Sequence, residues 1–284
     1  MSFYTPLRYP GGKAKFTSFF DDIIQSNNLS QINYVEPYAG GAGVALGLLF
    51  SGTAKAIYLN DLDYSVYCFW YAVLNETDAL CKKIIDTSVT PDEWIKQKSI
   101  RNQNTEYSTL DVGFSTFFLN RTNRSGILEA GMIGGKAQAG DWKMDVRYNK
   151  IDLIKRIEKI ASRASNIHLS NLDAAYFLQQ EVTKLPTNET LVYLDPPYFV
   201  KGKQLYKNHY VFSDHYKIAY IVKNDLKCHW VVSYDDELEI RDLYSKTQLM
   251  EMTLSYTAGT KRKGSEVFFF SDNLNIKDTK ELVS

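Results

Sequence analysis

Cysteine is scarce in this chain: Cys68, Cys81 and Cys228 are odd in number and lack CxxC spacing. Neither a disulfide framework nor a cysteine zinc site is suggested, and a reducing cytosol is the expected compartment. The four histidines, His168, His209, His215 and His229, form no HExxH or similar pattern, so no metal is expected. Net charge is absent as well, because 33 basic side chains balance 33 acidic ones. Any nucleic-acid binding must then come from local basic patches, not from a field of the whole molecule. Apolar runs are broken by glycine or polar residues well short of a membrane span. The first residues also lack a charged segment followed by an apolar one, so a soluble, non-secreted protein is expected.

What is present suits a large α/β fold, for which 284 residues are ample. Twenty tyrosines and fifteen phenylalanines would serve base stacking or a large core equally well. A helix is expected over 16–27, where Phe16, Phe19, Phe20, Ile23 and Ile24 fall at helical spacing. Strand 32–35, helix 44–50 and strand 56–59 read as the opening of a doubly wound unit. Helical patterns follow from about 64 to 120, including 64–75, 77–86 and 111–119, then 120–145 shows no clear period. A helix over 151–162 and strands at 166–169, 191–194, 230–233 and 266–270 complete a parallel sheet with a helical, loop-rich insertion.

The strand 191–194 ends in Asp195-Pro196-Pro197-Tyr198. Two prolines fix φ and remove two backbone donors, leaving a stiff turn whose carbonyls are available as acceptors. With a carboxylate on one side and an aromatic ring on the other, such a turn is suited to grip a planar base carrying an exocyclic amine, adenine or cytosine. An ordinary Asp-Pro turn is the plainer alternative.

Strand 32–35 runs into Glu36-Pro37-Tyr38-Ala39-Gly40-Gly41-Ala42-Gly43. Glycines here let the backbone approach a ligand at the carboxyl edge of the sheet, and Asp61, ending the next strand, is placed for ribose hydroxyls. Leu46 stands where the third glycine of a GxGxxG fingerprint would fall, so a cofactor with an adenosine but no phosphates fits better than a dinucleotide. The N-terminal Arg8-Tyr9-Pro10-Gly11-Gly12-Lys13 is either a simple turn or a closure over a cofactor's amino-acid end. Asn120-Arg121-Thr122-Asn123-Arg124-Ser125-Gly126, with Lys136, Gln138 and Arg147 beyond it, supplies donor and acceptor pairs of the kind that read bases and hold phosphates. A solvated loop is the alternative there.

Taken in order, these motifs together with Asn60-Asp61 and Val231-Val232-Ser233-Tyr234-Asp235 resemble those of the Dam-like (D12 class) DNA adenine-N6 methyltransferases, over nearly the whole chain. The resemblance implies a Rossmann-like S-adenosylmethionine-dependent methyltransferase fold, with catalytic segments at 1–74 and 148–284 and a mainly helical target-recognition insertion at 75–147. It implies S-adenosylmethionine as methyl donor, with Tyr9, Lys13, Glu36 to Gly41, Gly43, Asp61, Asp173 and Asp195 at the cofactor. It also implies Asp195, Pro196, Pro197 and Tyr198 as the catalytic motif, and Asn120-Arg121 as the start of a recognition hairpin. Thr122-Asn123-Arg124-Ser125 departs from the GATC-specific members, so the resemblance does not carry that target sequence over.

Adenine N6 is a weak nucleophile, and acceptance of its hydrogens by Asp195 and the Pro196 carbonyl would turn its lone pair toward the methyl donor. The base would have to be flipped out and stacked on Tyr198, with Asn123, Arg124, Lys136, Lys201, Lys203 and Lys207 on the nucleic acid and Lys261-Arg262-Lys263 as a second basic run. The expected partner is double-stranded DNA, bound by a monomer, with a cognate restriction endonuclease encoded nearby as a candidate partner. N4-cytosine methylation, N6-adenine methylation of RNA and a catalytically inert DNA-binding relative are the alternatives. C5-cytosine chemistry is disfavoured because no cysteine follows a proline, and an NAD enzyme is disfavoured by the glycine spacing.

Overall fold

The computed structural model describes residues 4–8, 13–199, 210–256 and 262–276. Its helices are α1 (Thr17–Ser26), α2 (Gly43–Ser51), α3 (Tyr64–Asn75), α4 (Thr77–Asp86), α5 (Pro91–Asn102), α6 (Thr109–Thr122), α7 (Lys150–Ala161), α8 (Ala174–Gln180), α9 (Phe212–Asn224) and α10 (Leu238–Leu243). The strands are β1 (Ile32–Glu36), β2 (Ala54–Asn60), β3 (Ile167–Ser170), β4 (Thr190–Leu194), β5 (His229–Asp235), β6 (Gln248–Tyr256) and β7 (Arg262–Phe270). They divide into two compact units, one of residues 63–171 with the N-terminal segment, the other of Lys13–Leu62 and the chain from Leu172 onward.

In the second unit the strands run β2-β1-β4-β5-β7-β6. From β2 to β5 the pairing is parallel, and β1 and β4 are buried at every residue, as strands covered on both faces must be. β7 is antiparallel to both β5 and β6, which corrects the expectation of a wholly parallel sheet. The cause is the connection: only residues 257–261 separate β6 from β7, and a parallel crossover needs a dozen or more. Between β1 and β4 the order of strands reverses, and α/β sheets bind ligands beyond the carboxyl ends of strands at such a point. Glu36 and Asp195 stand at those two ends.

α2 is apolar all round, and Val44 to Leu49 are all buried. It lies against the turn Lys13–Phe16 and the start of α1 so closely that a Cβ on Gly43 would sit 2.8 Å from Ala14 Cβ. Gly43 thus serves this close approach of backbones, which carries Lys13 in beside the sheet.

The first unit is helical. α6 crosses α3 so tightly that a Cβ on Gly113 would meet the Cys68 carbonyl at 2.5 Å, and the Phe69 and Phe117 rings stack behind that contact at 5.9 Å. α3 and α7 belong to this unit, where they pack on α6 and α4. α5 falls within the stretch expected to be helical; Thr90 caps it by accepting from Glu93 N at 3.2 Å and Pro91 opens it.

Candidate active site

β4 delivers Asp195 into a network of side chains contributed by three other segments of the second unit. Its Oδ1 accepts from Lys13 Nζ at 3.1 Å and from Ser233 Oγ on β5 at 2.9 Å. Lys13 Nζ also donates to Glu266 Oε1 on β7 at 3.0 Å, and that oxygen accepts the Tyr198 hydroxyl at 2.8 Å. Tyr198 lies with its ring centroid 5.6 Å from the Lys13 ammonium, and Phe199 N donates to Asp235 Oδ1 at 2.9 Å, so the Asp195-Pro196-Pro197-Tyr198 segment is tied at both ends. Lys13 and Glu266 are buried, whereas the Asp195 side chain remains 29% exposed. A half-open carboxylate held by buried partners is positioned to meet a ligand.

Charge at this site is finely opposed. Burial raises the Asp195 carboxyl above the ordinary aspartate range and Glu266 pushes it the same way, while Lys13 and Ser233 work against them. For Lys13, burial favours the neutral amine, but Asp195 and Glu266 outweigh it and hold the ammonium above the usual lysine value. Glu36, fully buried at the end of β1, is raised to about 8 by burial, against a hydrogen bond that its Oε1 accepts from Ala45 N at 3.0 Å. Asp195 adds to that rise.

Beside this network Asn60, quoted with Asp61 among the sequence motifs but given no role there, stitches the 36–43 loop to Leu172. Its Nδ2 donates to the Pro37 and Leu172 carbonyls, both at 3.0 Å, and its Oδ1 accepts from Leu172 N at 2.9 Å. Ala39 N donates to the Asn60 carbonyl at 2.9 Å, and Asp61 Oδ2 accepts from Gly40 N, also at 2.9 Å. Gly40 has φ 46° and Ala42 φ 47°, so the loop turns through the left-handed region twice. Asp173, exposed, caps α8 through Ala175 N and Tyr176 N. Tyr38 shares a 2.8 Å hydrogen bond with Tyr210, whose phenol burial lifts to about 12 with Asp173 pushing the same way. Pro37, Ala39 and Gly41 are buried in the loop wall. Glu36, Tyr38, Gly40, Asp61 and Asp173 therefore converge on one edge of the second unit, as the sequence reading groups them.

In the first unit, two expected base readers are committed elsewhere, and the expectation is corrected. Asn120, 1% exposed, spends its amide on Arg8 N, Arg8 O and Gly126 O at 2.7 to 2.9 Å. Asn123, fully buried, donates to the Ile127 and Leu128 carbonyls and accepts Trp94 Nε1 at 2.6 Å. Both frame a hairpin in which Asn123 pairs with Met132 and Ile133 N donates to Thr122 O. Arg121 is likewise engaged, donating to the Arg147 and Pro6 carbonyls, and burial among Arg8, Arg156 and Arg147 lowers it to about 10. Arg124, on this framed loop, and Lys136, beyond it, are exposed. Tyr9, Lys201, Lys203, Lys207 and Lys261 lie outside the described residues. Asn123→Ala is expected to cost about 3 kcal/mol of stability, because it orphans the Trp94 indole and two carbonyls, and to leave the order of preferred DNA sequences unchanged. Urea unfolding and methylation-site sequencing check the two halves.

The profile of the D12 class N6 adenine-specific DNA methyltransferases matches residues 9–258. The chain belongs to that family. No curated protein matches this methyltransferase. Among solved structures, similarity in fold extends to a proposed RNA methyltransferase from Pyrococcus horikoshii, at 10% identity over 93% of this chain and 86% of that one, TM-score 0.41. An rRNA methyltransferase from Streptomyces viridochromogenes is 11% identical over 97% and 90% of the two chains, TM-score 0.39. A SAM-dependent methyltransferase from Agrobacterium tumefaciens is 9% identical over 90% and 62%, TM-score 0.39. In this adenine-N6 methyltransferase burial pushes all three thiols up to about 11, so none is an activated nucleophile. Among the described residues no helix is long and apolar enough to cross a membrane.

Proposed function

We propose that the protein transfers a methyl group from S-adenosylmethionine to N6 of an adenine flipped out of duplex DNA, acting as a monomer in the cytoplasm. The observation that carries this reading is the half-open Asp195 carboxylate, one of whose oxygens is pinned by Lys13 and Ser233. Asp195 and the Pro196 carbonyl would each accept one N6 hydrogen, turning the nitrogen lone pair out of the ring. As the N6–C bond would form and the methyl's bond to sulfur break, its electron pair leaving with the thioether, the nitrogen becomes positive, and the adjacent carboxylate stabilises that charge and takes the proton that leaves. Tyr198 would stack on the extruded base and offset the few kcal/mol, roughly, that unstacking costs.

The cofactor fits the donor set of the loop edge. Asp61 and Asp173 offer carboxylates for ribose hydroxyls and an adenine amine, and the 36–43 loop carries no cation for a phosphate. Lys13 is itself held by two carboxylates, so a pyrophosphate would find no free charge there. When bound, S-adenosylmethionine would supply a methyl group already activated for displacement. Gly40 and Tyr38 would shape its pocket, with Glu36 behind them.

Incubation with labelled S-adenosylmethionine and duplex DNA, followed by digestion to nucleosides, should put the label in N6-methyldeoxyadenosine. Label in N4-methylcytosine, or transfer to RNA alone, would overturn the reading. Arg124→Ala should relax the site preference by about 10- to 100-fold, the worth of one good base contact. An unchanged preference would remove Arg124 from the recognition set.

A further inference from the structure

Glu266 opens the buried run Val267 to Phe270 on β7 and is 1% exposed. An ionisable group in such a place is costly unless it is paired and hydrogen-bonded. One of its oxygens, Oε1, takes donors from two distant parts of the chain, Lys13 Nζ at 3.0 Å and the Tyr198 hydroxyl at 2.8 Å. Lys13 passes the connection on to Asp195 at 3.1 Å. β5 and β7 pair Asp235 directly with Glu266, and Asp235 holds Phe199 N. The two strands therefore grip the Tyr198–Phe199 segment by its hydroxyl and by its backbone at once.

From this geometry we infer that Glu266 is a positioning residue, which fixes the Asp195 carboxylate and the Tyr198 ring in the arrangement that grips the target base. The inference rests on the reading of Asp195 and Tyr198 as the base-gripping pair. Without Glu266, the Lys13 ammonium has one carboxylate left and is drawn onto it, competing with the amine for Asp195. The Tyr198 ring loses the anchor of its hydroxyl in the same step. Neither effect touches the loop around Asp61 and Asp173, so cofactor affinity is spared.

The test compares the full chain with Glu266→Ala, Glu266→Gln, Tyr198→Phe and the double variant Glu266→Ala/Tyr198→Phe on unmethylated genomic DNA. Glu266→Ala should lower kcat by about 100-fold, the cost of a misplacement of about 1 Å, with the KM for S-adenosylmethionine little changed. Glu266→Gln keeps an acceptor for the Tyr198 hydroxyl and should recover part of that loss. Because both act through one ring, the double variant should be no slower than Glu266→Ala alone. Near-normal kcat in Glu266→Ala, or losses that multiply in the double variant, would overturn the inference. A second readout needs no activity: in ligand-free protein with 13C-labelled tyrosine, the signal that Tyr198→Phe removes should shift in Glu266→Ala and in Glu266→Gln. An unmoved signal refutes the positioning role whatever the wild type methylates, whereas a wild type that methylates no adenine refutes the reading of the site. Should Glu266→Ala fail to fold, Glu266→Gln, of equal size, carries both readouts.

Discussion

Asp195→Ala is expected to reduce methyl transfer by on the order of 10³-fold while binding of S-adenosylmethionine is largely kept. The loss follows from removing the acceptor that orients the N6 hydrogens and faces the charge that develops on nitrogen. Stability should suffer less than the burial of Lys13 suggests, because its ammonium retains Glu266 at 3.0 Å. Asp195→Asn should be nearly as slow, since an amide presents N–H donors toward the donors of the base. Single-turnover transfer of labelled methyl, set beside equilibrium dialysis of the cofactor, separates chemistry from binding. Turnover within tenfold of wild type would remove Asp195 from the chemistry. The wild-type rate should also fall on the acid side as Asp195 takes up its proton. Burial and Glu266 raise that group, so the limb lies above the ordinary aspartate range, and Lys13 keeps it from moving further.

Much of the second unit was legible because its strands are apolar runs closed by punctuation. β1, β2, β4 and β5 fall within two residues of the positions expected from Ile32, Ala56, Leu191 and Trp230. α9 was not legible, and its burial explains why: Phe212, Tyr216 and Tyr220 are exposed while Ile218, Ala219, Ile221 and Val222 are buried, so apolar residues line both faces and blur the period. α5, inside a stretch expected to be helical, shows no bounds of its own for the opposite reason, since polar Gln97 and Arg101 occupy its inner face beside Trp94 and Ile100. In the candidate site, Glu36 and Asp195 close strands and are followed by proline, which makes them conspicuous, and Asp61 directly follows the end of β2. Glu266, Ser233 and Asn60 have no neighbouring proline or glycine. Glu266 meets Lys13 across 253 positions, a pairing that only the antiparallel edge creates. The segment from Asn120 to Ile133 inverts the lesson: Asn120 and Asn123 have the chemistry of base readers, and their burial turns that chemistry onto the backbone.

Glu36→Gln is expected to stabilise the fold, and by an amount that grows with pH. Burial lifts the Glu36 carboxyl from the ordinary 4.5 to about 8, so across that interval the folded protein keeps a proton that the unfolded chain has released. The folded state then binds more protons than the unfolded one, and stability declines as pH rises from about 4.5 to about 8 and is level above it. At about 1.4 kcal/mol per pH unit the decline is about 3 kcal/mol at pH 7 and about 5 above pH 8. Glutamine does not titrate and retains an oxygen for the Ala45 N–H, which donates to Glu36 at 3.0 Å. Urea midpoints for the two proteins should therefore agree near pH 4.5 and separate steadily toward pH 8.5. A pH-independent difference, or a less stable variant at pH 8, would show that Glu36 does not carry this proton. Retention of so costly an acid at the end of β1 is the pattern of a functional site. The same variant should accordingly bind S-adenosylmethionine more weakly, and most so above pH 8, where wild-type Glu36 is ionised and offers a charge that glutamine lacks.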